Sequence, residues 1–181
     1  MTQRQEYRVI ETFHDFEIRK YQPCVIAEVK VLAEYSTASS RAFSSLFGYI
    51  SQGNKTSEKI SMTAPVISAQ KPAESGPDTW YVSFVMPSGS RFDQMPQPND
   101  SKVLLRNLDS EVCVASVFRG KASAELSKKM EEQLRAAAAR ENLTLSNETR
   151  ICRFDPPFKP GFLQYNEIVI PISIPLEKSR L

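Results

Sequence analysis

Histidine and cysteine are scarce in this sequence, and their scarcity excludes several kinds of site. The 181 residues contain one histidine, His14, and three cysteines, Cys24, Cys113 and Cys152. One histidine cannot form a two-histidine metal site, and a lone histidine before a strand is usually a surface residue. Three cysteines without a Cys-x-x-Cys pair argue against a disulfide framework or a structural zinc site, so we expect a reducing compartment. Cys24 and Cys113 lie among valine and alanine, where a thiol packs as a small apolar group.

Long apolar runs, a strong net charge and catalytic signature motifs are missing as well. No apolar run reaches the roughly 18 residues of a membrane span, and the N-terminus lacks the apolar core of a signal peptide. The net charge is +2 with basic and acidic residues interleaved, which argues against a nucleic-acid partner. No nucleophile elbow, phosphate loop or calcium loop occurs. We therefore predict a cytoplasmic protein with no membrane span and no DNA or RNA partner.

The composition that remains is typical of one globular domain, which we assign to residues 1–181. Hydrophobic residues make up 41% and charged residues 24% of the chain, as in an ordinary soluble protein. Helical spacing occurs at residues 38–52 and 124–142. Alternation of apolar and polar residues predicts nine strands: residues 7–10, 16–20, 24–32, 59–68, 79–86, 102–108, 111–119, 149–154 and 165–173.

The two halves of the chain have similar patterns. Cys24–Val29 precedes the first predicted helix and resembles Cys113–Val117 before the second, about 89 residues further on. This spacing suggests a duplicated strand-helix-strand-strand unit, with possible repeats at residues 7–95 and 101–173. Segments dense in turn residues predict loops, the second of which joins the halves: residues 71–77, 95–100 and 155–161.

The first predicted helix has a wide apolar face. At about 100° per residue, its apolar side chains cover an arc of roughly 160°, more than the ~100° that a core-facing helix needs: Ala42, Phe43, Leu46, Phe47, Tyr49 and Ile50. Two interpretations are open. Either Phe43, Phe47 and Ile50 line an apolar groove for a flat ligand, or the whole arc is core.

Residues 59–66 combine a strand pattern with an unusual Met-Thr-Ala-Pro sequence. Pro65 cannot donate a ladder hydrogen bond, so the pattern predicts an edge strand or a bulge. The alternating apolar residues predict a half-buried strand: Ile60, Met62, Ala64 and Val66.

Six segments, taken in order along the chain, resemble the SOUL/haem-binding-protein family. They extend over most of the sequence, and an ordered set is far harder to obtain by chance than one motif. The resemblance implies an α+β domain, in which a curved or barrel-like, mostly antiparallel sheet of eight to nine strands carries two long helices on its outer side. The segments are Phe16–Tyr21, Ala42–Asn54, Lys59–Val66, Phe84–Pro87, Phe118–Gly120 and Asn166–Val169.

The resemblance also implies noncovalent (b-type) binding of haem or another porphyrin at the first helix. The sequence lacks Cys-x-x-Cys-His, so covalent attachment is not expected. Lys20 stands where some family members carry a histidine proposed as an iron ligand, which leaves His14, Tyr49, Met62 or no protein ligand. The matching site residues are apolar or able to pair with a propionate: Phe43, Leu46, Phe47 and Ile50, with Arg41 and Lys159.

We expect a tetrapyrrole-binding protein that acts in haem buffering, transport or sensing. One alternative is a small-molecule effector-binding module similar to the gyrase-inhibitor family, which has duplicated strand-helix units. Another is an enzyme acting on tetrapyrroles with Glu167 as acid or base, although a structural ion pair with a cation such as Arg19 would equally account for this carboxylate. A third is a protein-interaction adaptor that uses the first helix as its surface.

Overall fold

The computed structural model describes residues 2–71 and 79–173, so nearly all of the loop predicted at residues 71–77 lies outside the described residues. Short 3-10 helices lie at Phe92–Gln94 and Gly161–Leu163. The strands and α-helices, in chain order, are β1 (Tyr7–Thr12), β2 (Glu17–Tyr21), β3 (Cys24–Leu32), α1 (Tyr35–Ile50), β4 (Val66–Lys71), β5 (Thr79–Val85), β6 (Val103–Leu108), β7 (Glu111–Arg119), α2 (Ala124–Arg140), β8 (Thr149–Arg153) and β9 (Tyr165–Pro171).

The predicted α+β fold class is confirmed. The nine strands form one curled, half-barrel sheet in the order β1-β2-β7-β9-β8-β4-β5-β3-β6, and every neighbouring pair is antiparallel. Helix α1 packs on β3, β5 and β6, whereas α2 packs on β7 and β9. The two helices therefore cover neighbouring parts of one face of the sheet.

Strand alternation separates the apolar side chains into two clusters. The larger cluster lies between the sheet and the helices and includes Val29, Leu46, Phe84 and Ile168. The smaller one lies on the opposite face, where no described helix packs, and includes Tyr21, Ile26, Ile67 and Val169. Successive residues of a strand face opposite sides, so the helix-free face can carry polar groups that the main core excludes.

The two halves of the sheet have the same order of elements. In the first half β5 lies between β3 and β4, and in the second half β9 lies between β7 and β8. The outer strands are exchanged, because β6 pairs with β3 and β2 pairs with β7. This order agrees with a strand-helix-strand-strand unit, while a duplication of the sequence stays a prediction.

The predicted strand at residues 59–68 is wrong in its first part. Strand β4 begins at Val66, and Met62 is 41% exposed rather than sharing a buried face with Ile60 and Ala64. Pro65 comes immediately before β4, which is a central strand between β5 and β8 and not an edge. A proline placed before the first ladder residue removes no ladder bond. Ala64 instead exchanges backbone hydrogen bonds with the N-terminal segment, donating to Gln3 O and accepting from Gln5 N, each at 2.8 Å.

Candidate ligand-binding site

The wide apolar arc of α1 is divided between core and surface. Four of its side chains are buried against the sheet: Ala42, Leu46, Tyr49 and Ile50. Phe43 and Phe47 lie at one flank of the helix and are 37% and 48% exposed. Each of the two interpretations of the sequence therefore describes part of the arc. Leu46 and Ile50 lie on the side of α1 that faces the sheet and are 0% and 4% exposed.

Phe43 and Phe47 form an ordered apolar surface. Their rings are nearly parallel, with an interplanar angle of 12° and centroids 5.8 Å apart. Phe43 also packs on the sheet, because its ring and that of Phe84 on β5 are in an edge-to-face arrangement with centroids 5.5 Å apart. Aromatic rings on successive turns of a helix are neighbours, so the two side chains give a short ledge along the flank of α1. We call this surface the α1 ledge.

Arg153 connects the start of α1 to the end of β8. Its guanidinium donates to Ser39 Oγ at 3.1 Å, to Ser68 Oγ at 2.9 Å and to Tyr35 Oη at 2.6 Å. Ser39 lies one turn before Phe43 on the same flank. The end of β8 therefore lies beside the first turns of α1.

The loop between β8 and β9 presents aromatic side chains that the sequence analysis missed. Phe158 is 87% and Phe162 is 76% exposed, the highest values among the large apolar residues described. The loop is held by internal bonds, since Asp155 Oδ2 accepts from Tyr165 N at 2.7 Å and Gln164 Nε2 donates to Lys159 O at 2.9 Å. A loop rich in proline and glycine has no periodicity that would place its aromatic residues in a core. Aromatic residues in such a loop were therefore the signal in the sequence that could have indicated exposed side chains.

The two predicted basic residues differ in their surroundings. Lys159 Nζ lies 2.8 Å from Asp155 Oδ1, and this hydrogen bond lowers the pKa of the Asp155 carboxyl. Arg41 is exposed, but at about 100° per residue it lies roughly 120° around the helix from Phe47. It is on the side where Ser45 bonds to Asp100. Lys159 is thus in the loop that follows β8, and Arg41 faces away from the α1 ledge.

The candidate iron ligands are also placed differently. His14 is 97% exposed and lies 2.8 Å from Asp15, which pairs with Arg140 at the end of α2. Tyr49 is buried and donates to Pro96 O at 2.9 Å, and burial raises its pKa to about 12. Met62 is partly exposed. Among the described residues, no group of three or more histidine, cysteine, aspartate or glutamate side chains could hold a metal ion.

Glu167 lies on the helix-free face of the sheet and is only 2% exposed. Its Oε2 accepts from Arg19 Nη1 at 2.8 Å and its Oε1 accepts from Tyr165 Oη at 2.7 Å. The ion pair with Arg19 that the sequence allowed is therefore present. Two thiols are buried as well. Burial raises the pKa of Cys113 to about 12 and also raises the pKa of Cys152.

The sequence of the chain matches a known family. A family described as "SOUL heme-binding protein" matches residues 2–171. The chain belongs to that family. A curated relative of the SOUL chain, "Heme-binding protein 2" of Mus musculus, is 31% identical over 138 residues. The aligned region covers 75% of the present chain and 62% of the mouse protein, so the chain spans less than two thirds of that relative.

Solved structures extend the similarity of the SOUL fold to distant proteins. The C-terminal domain of EcmrR has a TM-score of 0.68 at 10% identity, covering 92% of this chain and 98% of that domain. A hydrolase from Listeria innocua has a TM-score of 0.62 at 12% identity, covering 95% of this chain and 93% of that one. At such identities the likeness concerns the fold alone. In the described part of the SOUL chain, no helix is long and apolar enough to cross a membrane.

Proposed function

We propose that this protein binds haem or a related tetrapyrrole noncovalently at the α1 ledge, and that it acts in haem buffering, transport or sensing. The observation that carries the proposal is the exposed, nearly parallel pair Phe43 and Phe47 on a helix whose other apolar residues from Ala38 onward are buried. The family name and that of the mouse relative support the ligand class. Neither name specifies the physiological role.

The residues of the α1 ledge suit a flat apolar ligand. A phenylalanine side chain has on the order of 200 Å² of surface, so the exposed part of Phe47 amounts to roughly 100 Å². Phe158 and Phe162 give the loop that follows β8 a second exposed apolar surface. A macrocycle would contact ring surface from both elements. Leu46 and Ile50 would support the helix from below instead of touching the ligand.

Electrostatics at the site favour a carboxylate only weakly. Lys159 is the basic residue of the loop that follows β8, but it is already paired with Asp155. A propionate would therefore compete with Asp155 for the ammonium group. Arg41 could reach a propionate only at the far side of the helix, so we expect Arg41→Ala to have the smaller effect of the two basic substitutions.

Asp155→Asn is expected to strengthen haem binding about three-fold. The substitution removes the charge that holds Lys159, while the asparagine oxygen can still accept from Tyr165 N. The gain should disappear at high salt, because partly exposed ion pairs contribute only about 0.2–1 kcal/mol and are screened. Asp93→Asn is the matched control, because it breaks the exposed pair with Arg91 elsewhere on the surface. Equal affinity of both variants with wild type would argue against a role for Lys159.

His14→Ala is expected to leave both the Soret band position and the affinity for haem unchanged. The reason is that His14 contacts Asp15, which pairs with Arg140 at the end of α2, and not a residue of the α1 ledge. Protoporphyrin IX should bind within about ten-fold of haem, because apolar area is common to both ligands. An altered spectrum in His14→Ala, or a preference for haem of a thousand-fold or more, would show that a bond to the metal carries recognition.

Titration of the protein with haemin tests the proposed function itself. A saturable red shift of the Soret band at one-to-one stoichiometry is expected. Linear, unsaturable uptake would favour an effector-binding module for another ligand. Product analysis after incubation separates binding from turnover of the tetrapyrrole, and a pull-down with and without haem tests the adaptor alternative.

A further inference from the structure

The helix-free face of the sheet contains a second cleft, distinct from the α1 ledge. It has a volume of about 490 Å³ and lies across strands β6, β3, β5, β4 and β8. Its floor includes Ile26, Ile67, Leu104 and Leu108. Leu104 is 60% exposed although it is a large apolar residue in a regular strand. Ligand pockets are typically of this size, with an apolar lining and a few polar groups.

One wall of the cleft carries a net positive charge. Glu28 is buried, and its Oε2 accepts from Arg106 Nη2 at 2.9 Å and from Ser83 Oγ at 3.2 Å. The Arg106 side chain is 51% exposed, so part of its guanidinium stays open to the cleft. Lys30 lies two residues from Glu28 on the same face, is exposed, and has no ion-pair partner among the described residues. Two cations thus face one carboxylate.

The opposite wall has the reverse balance. Arg150 donates to both oxygens of Glu111, at 2.7 and 3.1 Å, and to Glu148 at 2.6 Å. Here two carboxylates surround one buried cation, which leaves the wall with a net negative charge. An anion in the cleft is therefore attracted to the Lys30 wall and repelled from the Arg150 wall.

We propose that this cleft binds a small amphipathic organic anion, with a flat apolar body and a single carboxylate. The carboxylate lies at Lys30 and Arg106, and the apolar body covers the floor around Leu104. A second anionic group at the far end of the ligand would meet Glu111 and Glu148. Lys30 is the residue that gives the cleft its preference for anions, because Arg106 is already partly neutralised by Glu28.

The test compares two probes with the same aromatic body, 1-pyrenebutyrate and 1-pyrenemethylammonium, by isothermal titration calorimetry at low salt. Wild type should bind the carboxylate about ten-fold more tightly than the ammonium compound, a difference of about 1.4 kcal/mol. Lys30→Glu should abolish or reverse this preference. Lys128→Glu changes the net charge equally on the exposed face of α2 and should preserve it. Equal effects of the two substitutions would overturn the proposal.

Two further variants test where 1-pyrenebutyrate binds. Leu104→Gln alters an exposed side chain of the floor and should weaken 1-pyrenebutyrate about ten-fold without unfolding the protein. Phe47→Ala should leave 1-pyrenebutyrate binding unchanged, whatever it does to haem. Loss of 1-pyrenebutyrate binding in Phe47→Ala, with retention in Leu104→Gln, would place this probe on the α1 ledge and overturn the second site.

Discussion

Replacing Phe47 by alanine is expected to weaken haem binding about 50-fold while the protein stays folded. Phe47 is 48% exposed, so the ring has surface to bury when a ligand arrives. Burying roughly 100 Å² is worth about 2.5 kcal/mol at 25 cal/mol per Å², which corresponds to a factor of this size in affinity. Soret titration of the variant measures the effect.

Leu46→Ala is the matched control, one position away on the same helix. Leu46 is fully buried, so its truncation should cost about 2–5 kcal/mol in the free energy of unfolding. Haem affinity per folded molecule should stay near the wild-type value. If Phe47→Ala kept its affinity, the α1 ledge would not be the haem-binding surface. If it lost as much stability as Leu46→Ala, Phe47 would act as a core residue.

Most of the fold could be predicted because periodicity reports directly which residues face a core. Strands β3 and β7 begin and end where alternation predicts. Helix α1 starts at Tyr35, three residues before the predicted start, because Tyr35 is fixed by contacts distant in sequence. Its hydroxyl donates to Ala122 O and its ring packs on Trp80 with centroids 5.1 Å apart. No local pattern could reveal such partners.

The candidate site could be predicted only in part. Helical spacing left open whether Phe43, Phe47 and Ile50 line a groove or belong to the core, and the structure exposes the two phenylalanines and buries Ile50. Spacing alone could not separate Ile50 from the two phenylalanines, because exposure depends on where the sheet ends beneath the helix. Phe158 was missed because a loop has no period, and its position relative to α1 follows from long-range contacts such as that of Arg153 with Ser39.

The strand pairing that forms the helix-free face could not be predicted from the sequence either. Arg19 and Glu167 are 148 residues apart, and they meet because β2 and β9 both lie beside β7. This face gathers buried charges without a helix to cover them. Whether such a carboxylate acts on a substrate or holds the fold depends on its partners, and both oxygens of Glu167 already accept a hydrogen bond.

Glu167→Ala is therefore expected to cost about 3 kcal/mol in the free energy of unfolding, because the buried guanidinium of Arg19 keeps only the partly exposed Glu17, 2.8 Å away, as an ion-pair partner. Chemical denaturation measures the loss. Asp93→Ala, which breaks the exposed pair with Arg91, should cost only about 0.2–1 kcal/mol. The double variant Arg19→Met with Glu167→Leu should recover most of the stability, since apolar residues of similar volume commonly replace a buried ion pair without loss.

A second substitution of Glu167 distinguishes a structural role of this carboxylate from a catalytic one. Glu167→Gln retains an oxygen that can accept from Tyr165 and Arg19, so it should lose less stability than Glu167→Ala and should bind haem normally per folded molecule. A general acid or base would behave otherwise, because glutamine cannot exchange a proton in this role. If wild type converted a tetrapyrrole to a product and Glu167→Gln bound it without converting it, the buried pair would be catalytic machinery and the protein an enzyme.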